Sequence, residues 1–237
     1  LFRSNPPNQI VNELVEATIL RAIHSRRQLF ERIVEFWSDH FNIDVNKETC
    51  AWLKSVDDRD VIRPNAMGRF SDLLAASASS PAMLVYLDNH ISVAGNPNLN
   101  YARELMELHT LGVDGSYTEE DVIDVARCFT GWQVYPNSAG SPLAGVFRYN
   151  GAQHDNGPKR VLGHDIAPGG GIQDALTVLR ILAEHPSTAR FIARKLCRRF
   201  IADAPAESIV RTVAARFTAT GGDLRETLRC LLSPQHL

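Results

Sequence analysis

Residues 98–112 read Asn-Leu-Asn-Tyr-Ala-Arg-Glu-Leu-Met-Glu-Leu-His-Thr-Leu-Gly, and this stretch decides the fold class. Leu105, Leu108 and Leu111 recur at helical spacing. Asn98 or Asn100 supplies an N-cap, and Gly112 a stop. Arg103 and Glu107 are four apart and pair along the surface. Glu104 shares a face with Leu108, at the edge of the apolar stripe, where a carboxylate needs an arginine partner or a ligand.

The same pattern continues in both directions. Ile10, Leu14, Ala17, Ile19 and Ile23 mark a helix over Gln9–His24. Ser25 and Gln28 form a capping-box pattern that opens a second helix through Phe36 and Trp37 to His40. The segment Asp57–Phe70 reads as polar and interrupted by Pro64 and Gly68, and Ser80-Pro81 starts a short helix. Thr118 with Asp121 opens another, which Gly131 ends. Further helices are expected at 171–184, 187–201, 206–219 and 223–232. Between them, residues 132–170 hold seven glycines, four prolines and short β-type runs at Trp132–Tyr135, Val146–Tyr149 and Val161–Leu162. The expectation is an all-α domain spanning 1–237, of about nine helices, with a Gly/Pro-rich insertion that carries a small irregular hairpin at 132–163.

Composition bounds the function. With 237 residues and 44% hydrophobic content the chain builds one sizeable core. Its 25 basic and 27 acidic residues leave a net charge of −2, against a nucleic-acid partner. Arg190, Arg194 and Arg198 share one helix face, which suits an anionic surface or a solvated, paired face. No apolar run is long enough to span a membrane. Cys50, Cys128, Cys197 and Cys230 lack CxxC spacing, which speaks against a zinc ribbon or a redox pair, and two disulfides or buried thiols remain open.

Chemistry concentrates in three places. His40 ends a helix, where it serves as ligand, acid/base or C-terminal cap. Glu104 is the second, and His109 lies off its face. The third is Gln153-His154-Asp155-Asn156-Gly157-Pro158-Lys159, a turning segment in which Asp155 either forms an Asx turn or faces a ligand. Gly169-Gly170-Gly171 before a helix suits either an anion cradle or a linker.

The stretches ATILRAIHSRRQLFERIVEFWSDHFNI, PAMLVYLDN, NPNLNYARELMELHTLGVDGSYTEEDVIDVARCFTGW, HDNGPKRVLG and HPSTARFIARKLCRRF resemble the bacterial family called domain of unknown function 1800, in the family's order. The family pattern matches Trp37, His40, Phe41, Asn42, Asp88, Asn100, Arg103, Glu104, His154, Asp155, Gly157 and Lys159. It accepts an aromatic at 109, which demotes His109. The resemblance implies an exported bacterial protein, periplasmic or secreted, working at an envelope or extracellular polymer, with a sulfatase-like partner protein. It also implies longer members, of which this chain is the central part.

Two functions follow. In one, the chain is a hydrolase in which His40, Glu104, His154 and Asp155 converge as catalytic groups and Asn42, Asn100, Arg103 and Lys159 hold substrate. A divalent metal suits such imidazole and carboxylate ligands. In the other, the chain is a non-catalytic helical scaffold or binding module, and the same polar residues form a structural network.

Overall fold

Helix α1 (Pro7–His24) opens with proline in its first turn, where a missing N–H costs nothing. The chain then turns sharply into α2 (Gln28–His40). The capping box expected at this corner does not form. Ser25 Oγ accepts from Arg27 N at 3.1 Å, while Gln28 Nε2 donates to the carbonyls of Ala22 and Ser25 at 3.1 and 2.8 Å. Gln28 thus satisfies orphan carbonyls at the end of α1 instead of an N–H at the start of α2. The computed structural model describes residues 6–136 and 141–236, so 137–140 of the Gly/Pro-rich insertion lie outside the described residues.

Helix α3 (Cys50–Asp57) runs through a π-helical turn, Asp58–Ile62, into α4 (Arg63–Asn65), and α5 (Phe70–Ala78) follows. These additions correct the expected irregular segment at 57–70. Polarity misleads there, because Asp57 is satisfied at long range by the Ser80 hydroxyl at 2.7 Å and, one helical turn away, by Lys54 at 3.1 Å. Helix α6 (Pro81–Tyr86) begins after Ser80, whose hydroxyl serves Asp57 in place of the helix end. Asn98 caps α7 (Leu99–Glu104), which passes into a second π-helical stretch, Leu105–Thr110. Thr118 and Asp121 form the expected capping box of α8 (Glu119–Cys128).

The insertion holds two antiparallel hairpins, where one was expected. Strands β1 (Trp132–Val134) and β2 (Phe147–Tyr149) pair with Trp132 opposite Tyr149. Strands β3 (Lys159–Val161) and β4 (His164–Ile166) pair around Leu162 and Gly163. Both turn residues have positive φ, 49° and 82°, the two-residue geometry whose twist suits a hairpin. Leu162 therefore sits in a turn and not, as expected, in a strand.

Helices α9 (Ile172–Glu184), α10 (Pro186–Phe200), α11 (Glu207–Ala219) and α12 (Leu224–Leu231) complete the chain. One core joins them to the rest. Tyr101, Phe129, Trp132 and Phe147 run through it as an edge-to-face ladder, each step 5.1 Å between ring centroids. That ladder fastens the insertion to α7 and α8. The four cysteines are free thiols, with Cys50, Cys128 and Cys197 buried. Among the described residues no helix is long and apolar enough to cross a membrane.

Gly131 makes the entry to the insertion. It has φ of 79°, and a Cβ there would lie 2.5 Å from the Asn150 carbonyl oxygen. Gly131→Ala is expected to destabilise the fold by about 2 kcal/mol or more, read by urea unfolding. A loss under about 0.5 kcal/mol, the range of neutral surface changes, would contradict this account.

Candidate functional site

Helix α8 turns Asp121, Asp124 and Arg127, three residues apart, toward the insertion. Arg127 grips Asp155 with two bonds, Nε to Oδ2 at 2.8 Å and Nη2 to Oδ1 at 3.2 Å, and holds Asp124 at 2.6 Å. Asp155 Oδ1 also accepts from Gly157 N at 2.8 Å, which closes an Asx turn. The Arg127 guanidinium holds the Asp155 carboxyl down at about 2, so it stays a charged acceptor. Asp124 and Asp121 accept from the backbone N–H groups of Arg160 and Leu162 at 2.7 and 2.6 Å. These carboxylates therefore dock the β3–β4 hairpin on α8.

Beneath this layer lies a closed knot. The Lys159 ammonium, with no side-chain exposure, donates to Asp174 Oδ2 at 2.7 Å, to the Gly157 carbonyl at 3.0 Å and to the Asp155 carbonyl. His154, equally buried, donates from Nδ1 to the Thr130 carbonyl at 2.8 Å, and its Nε2 lies 3.2 Å from Asp174 Oδ2. Thr130 Oγ1 donates to the Arg127 carbonyl and accepts from Asp155 N. Asp174 sits in the first turn of α9, behind the triple glycine. A Cβ on Gly170 would fall 2.1 Å from Asp174 Oδ1. The glycine run thus makes room for an anion, and that anion is the chain's own carboxylate.

His40 belongs to a second network. Its ring is buried at the end of α2. Nε2 donates to the His109 carbonyl at 3.0 Å, and Nδ1 accepts from Lys195 Nζ at 2.8 Å. Burial first, then the Lys195 charge, push the His40 pKa well below the usual imidazole range. Burial likewise takes His109 to about 3. His40 therefore works as a neutral cap for a carbonyl that the π-helical stretch leaves free. Burial also lowers Lys195, whose ammonium lies 5.4 Å from the centroid of the Phe191 ring.

The remaining candidates stand apart. Glu104 is half-buried, and desolvation followed by the Glu107 charge raises its pKa. Arg103 turns mainly to Glu119 at 2.8 Å and reaches Glu107 only at 3.7 Å. Asn100 donates to the Leu87 carbonyl at 3.4 Å, and Asn42 is exposed beyond α2. The fold therefore gathers His154, Asp155 and Lys159, and no hydrogen bond or ion pair among the described residues links them to His40 or Glu104. Nor do the described residues contain a group of three or more His, Cys, Asp or Glu side chains placed to hold a metal ion.

A family model described as "Protein of unknown function (DUF1800)" matches residues 3–237. The chain belongs to the DUF1800 family. No curated protein and no solved structure matches it. In this DUF1800 chain the sequence does not point to Asp174 or Thr130 as site residues, and it shows Lys195 only as one cation of the basic cluster on α10, whereas the ammonium turns inward to His40. Asp174 carries one signal, an acidic residue in the first helical turn after three glycines. On the arginine face of α10, Arg190 and Arg194 both pair with Glu207 at 2.8 and 2.6 Å, and Arg199, on another side of the helix, pairs with Glu35 at 3.0 Å.

Proposed function

We propose that the chain is a non-catalytic helical binding module of an exported bacterial protein. One observation carries this reading. His154, Asp155 and Lys159, the densest cluster of chemical groups in the sequence, spend their bonds on each other, on Asp174, on Arg127 and on backbone. A reacting group must reach substrate, and the Lys159 and His154 side chains have no exposed surface. The family resemblance supports a setting in the periplasm or outside the cell. The module would work there at an envelope or extracellular polymer, beside a sulfatase-like partner.

Glu104 favours a second reading, hydrolysis. It is a half-buried carboxylate of raised pKa with no hydrogen-bond partner among the described residues. That is the state a general acid needs.

Wild type, Glu104→Gln and His40→Gln separate the two. Each is assayed on chromogenic esters, phosphate esters and glycosides, and for co-sedimentation with isolated envelope material. The module reading expects background turnover from all three proteins and co-sedimentation of the wild type. Turnover by wild type that Glu104→Gln abolishes without loss of fold, read by circular dichroism, would overturn it.

A further inference from the structure

A second feature lies far along the chain from the knot. The turn between α1 and α2, the first turn of α2, the turn before α5 and the start of α12 enclose an open cleft of about 610 Å³. Arg26, Arg27 and Arg225 line it, with Phe30, Pro64 and Met67 as its apolar part, and no acidic side chain contributes. All three guanidinium groups belong to exposed residues.

Arg69, in the turn before α5, donates to the Thr220 and Gly221 carbonyls, and four arginines on α1, α4, α11 and α12 are paired with carboxylates. Arg21 lies 3.9 Å from Asp58, Arg63 is bidentate on Glu31, and Arg216 and Arg229 share Glu226. Among the described residues, Arg26, Arg27 and Arg225 have no carboxylate within ion-pair distance. Three like charges gathered on one concavity repel each other, and a bound anion relieves that repulsion. A guanidinium fork matches the oxygens of phosphate, sulfate and carboxylate alike. The start of α2 also faces the cleft without a side-chain cap, which adds its positive end to the same field. The volume is that of a small-molecule site.

We infer that this cleft binds an organic oxyanion, a phosphate, sulfate or carboxylate group carried on an apolar body. The anion sits among Arg26, Arg27 and Arg225, and the body rests against Met67, Pro64 and Phe30. The inference deepens the binding-module reading, on which it rests, by naming a place and a ligand chemistry. The two fail separately, because the knot at Lys159 can be tested without any ligand.

Isothermal titration of the full chain at low salt decides it. The probes are phenyl phosphate, phenyl sulfate, benzoate, inorganic phosphate and the neutral phenyl glucoside. Saturable binding of at least one phenyl anion is expected, tighter than that of inorganic phosphate or the glucoside, and the ranking of the three phenyl anions identifies the preferred group. The triple variant Arg26→Gln, Arg27→Gln, Arg225→Gln should bind that anion about tenfold more weakly or worse, with an unchanged melting temperature because the three residues are exposed. Equal affinity in wild type and variant overturns the inference, as does the absence of saturable binding by every phenyl anion at millimolar concentration. Inorganic phosphate bound as tightly as the best phenyl anion overturns the apolar half of the site.

Discussion

Lys159→Met lowers the unfolding free energy by about 3–5 kcal/mol, the usual cost of removing one partner from a buried ion pair. The melting temperature falls by roughly 10 °C. The reason lies in what the substitution leaves behind. Asp174 Oδ2 keeps only His154 as a side-chain neighbour, and its carboxylate is 2% exposed. Two carbonyls, of Asp155 and Gly157, also lose their donor in a place water does not reach. Methionine fills the space of the lysine stem, so lost packing contributes little. A urea titration with wild-type slope and a lowered midpoint is the expected record. A midpoint within error of wild type would mean that the knot holds nothing together.

Acid destabilises the protein from just below neutral pH, through His40 and His109. Both are buried neutral, one with its pKa well below the usual value and one at about 3. In the unfolded chain each titrates near 6.5. Below that pH the unfolded state binds two protons that the native state refuses, so stability falls as pH falls. Each histidine costs up to about 1.4 kcal/mol per pH unit once the unfolded form is protonated, or about 3 kcal/mol for the pair between pH 6.5 and 5. The loss continues toward the native pKa values. Lys195, 2.8 Å from His40, sharpens the effect, because a second cation there meets a like charge. His109→Phe keeps the backbone carbonyl that His40 needs and should roughly halve the slope. Equal stability at pH 7 and 5 in the wild type would contradict the neutral assignment.

Local signals in the sequence reached the structure where the chemistry was itself local. Asn98, Thr118 with Asp121, and Pro81 each mark a helix start that the fold uses. What local signals could not carry is pairing over long separations. Asp57 and Asp58 made one segment look like a polar loop, yet Ser80, 23 residues from Asp57, pays for that polarity inside a helix. His40 meets Lys195 across 155 positions, and neither residue's neighbours announce the other. The segment His154–Lys159 was recognisable as a cluster of functional side chains. Its role was not, because a loop rich in His, Asp and Lys reads the same whether it faces solvent or the interior. Burial separates the two cases here: the Tyr149 ring meets His154 at 5.7 Å between centroids, and Asp174 of α9 pairs with Lys159.

His154, Lys159 and Asp174 lock the insertion to the helical body. A double-mutant cycle with Lys159→Met and Asp174→Leu, followed by urea unfolding, measures that lock. Each single change leaves a buried charge without its partner, whereas the double change replaces the pair with apolar groups of similar volume. The double variant is expected to regain at least about 2 kcal/mol over the sum of the singles. Strictly additive losses, or single variants as stable as wild type, would contradict it.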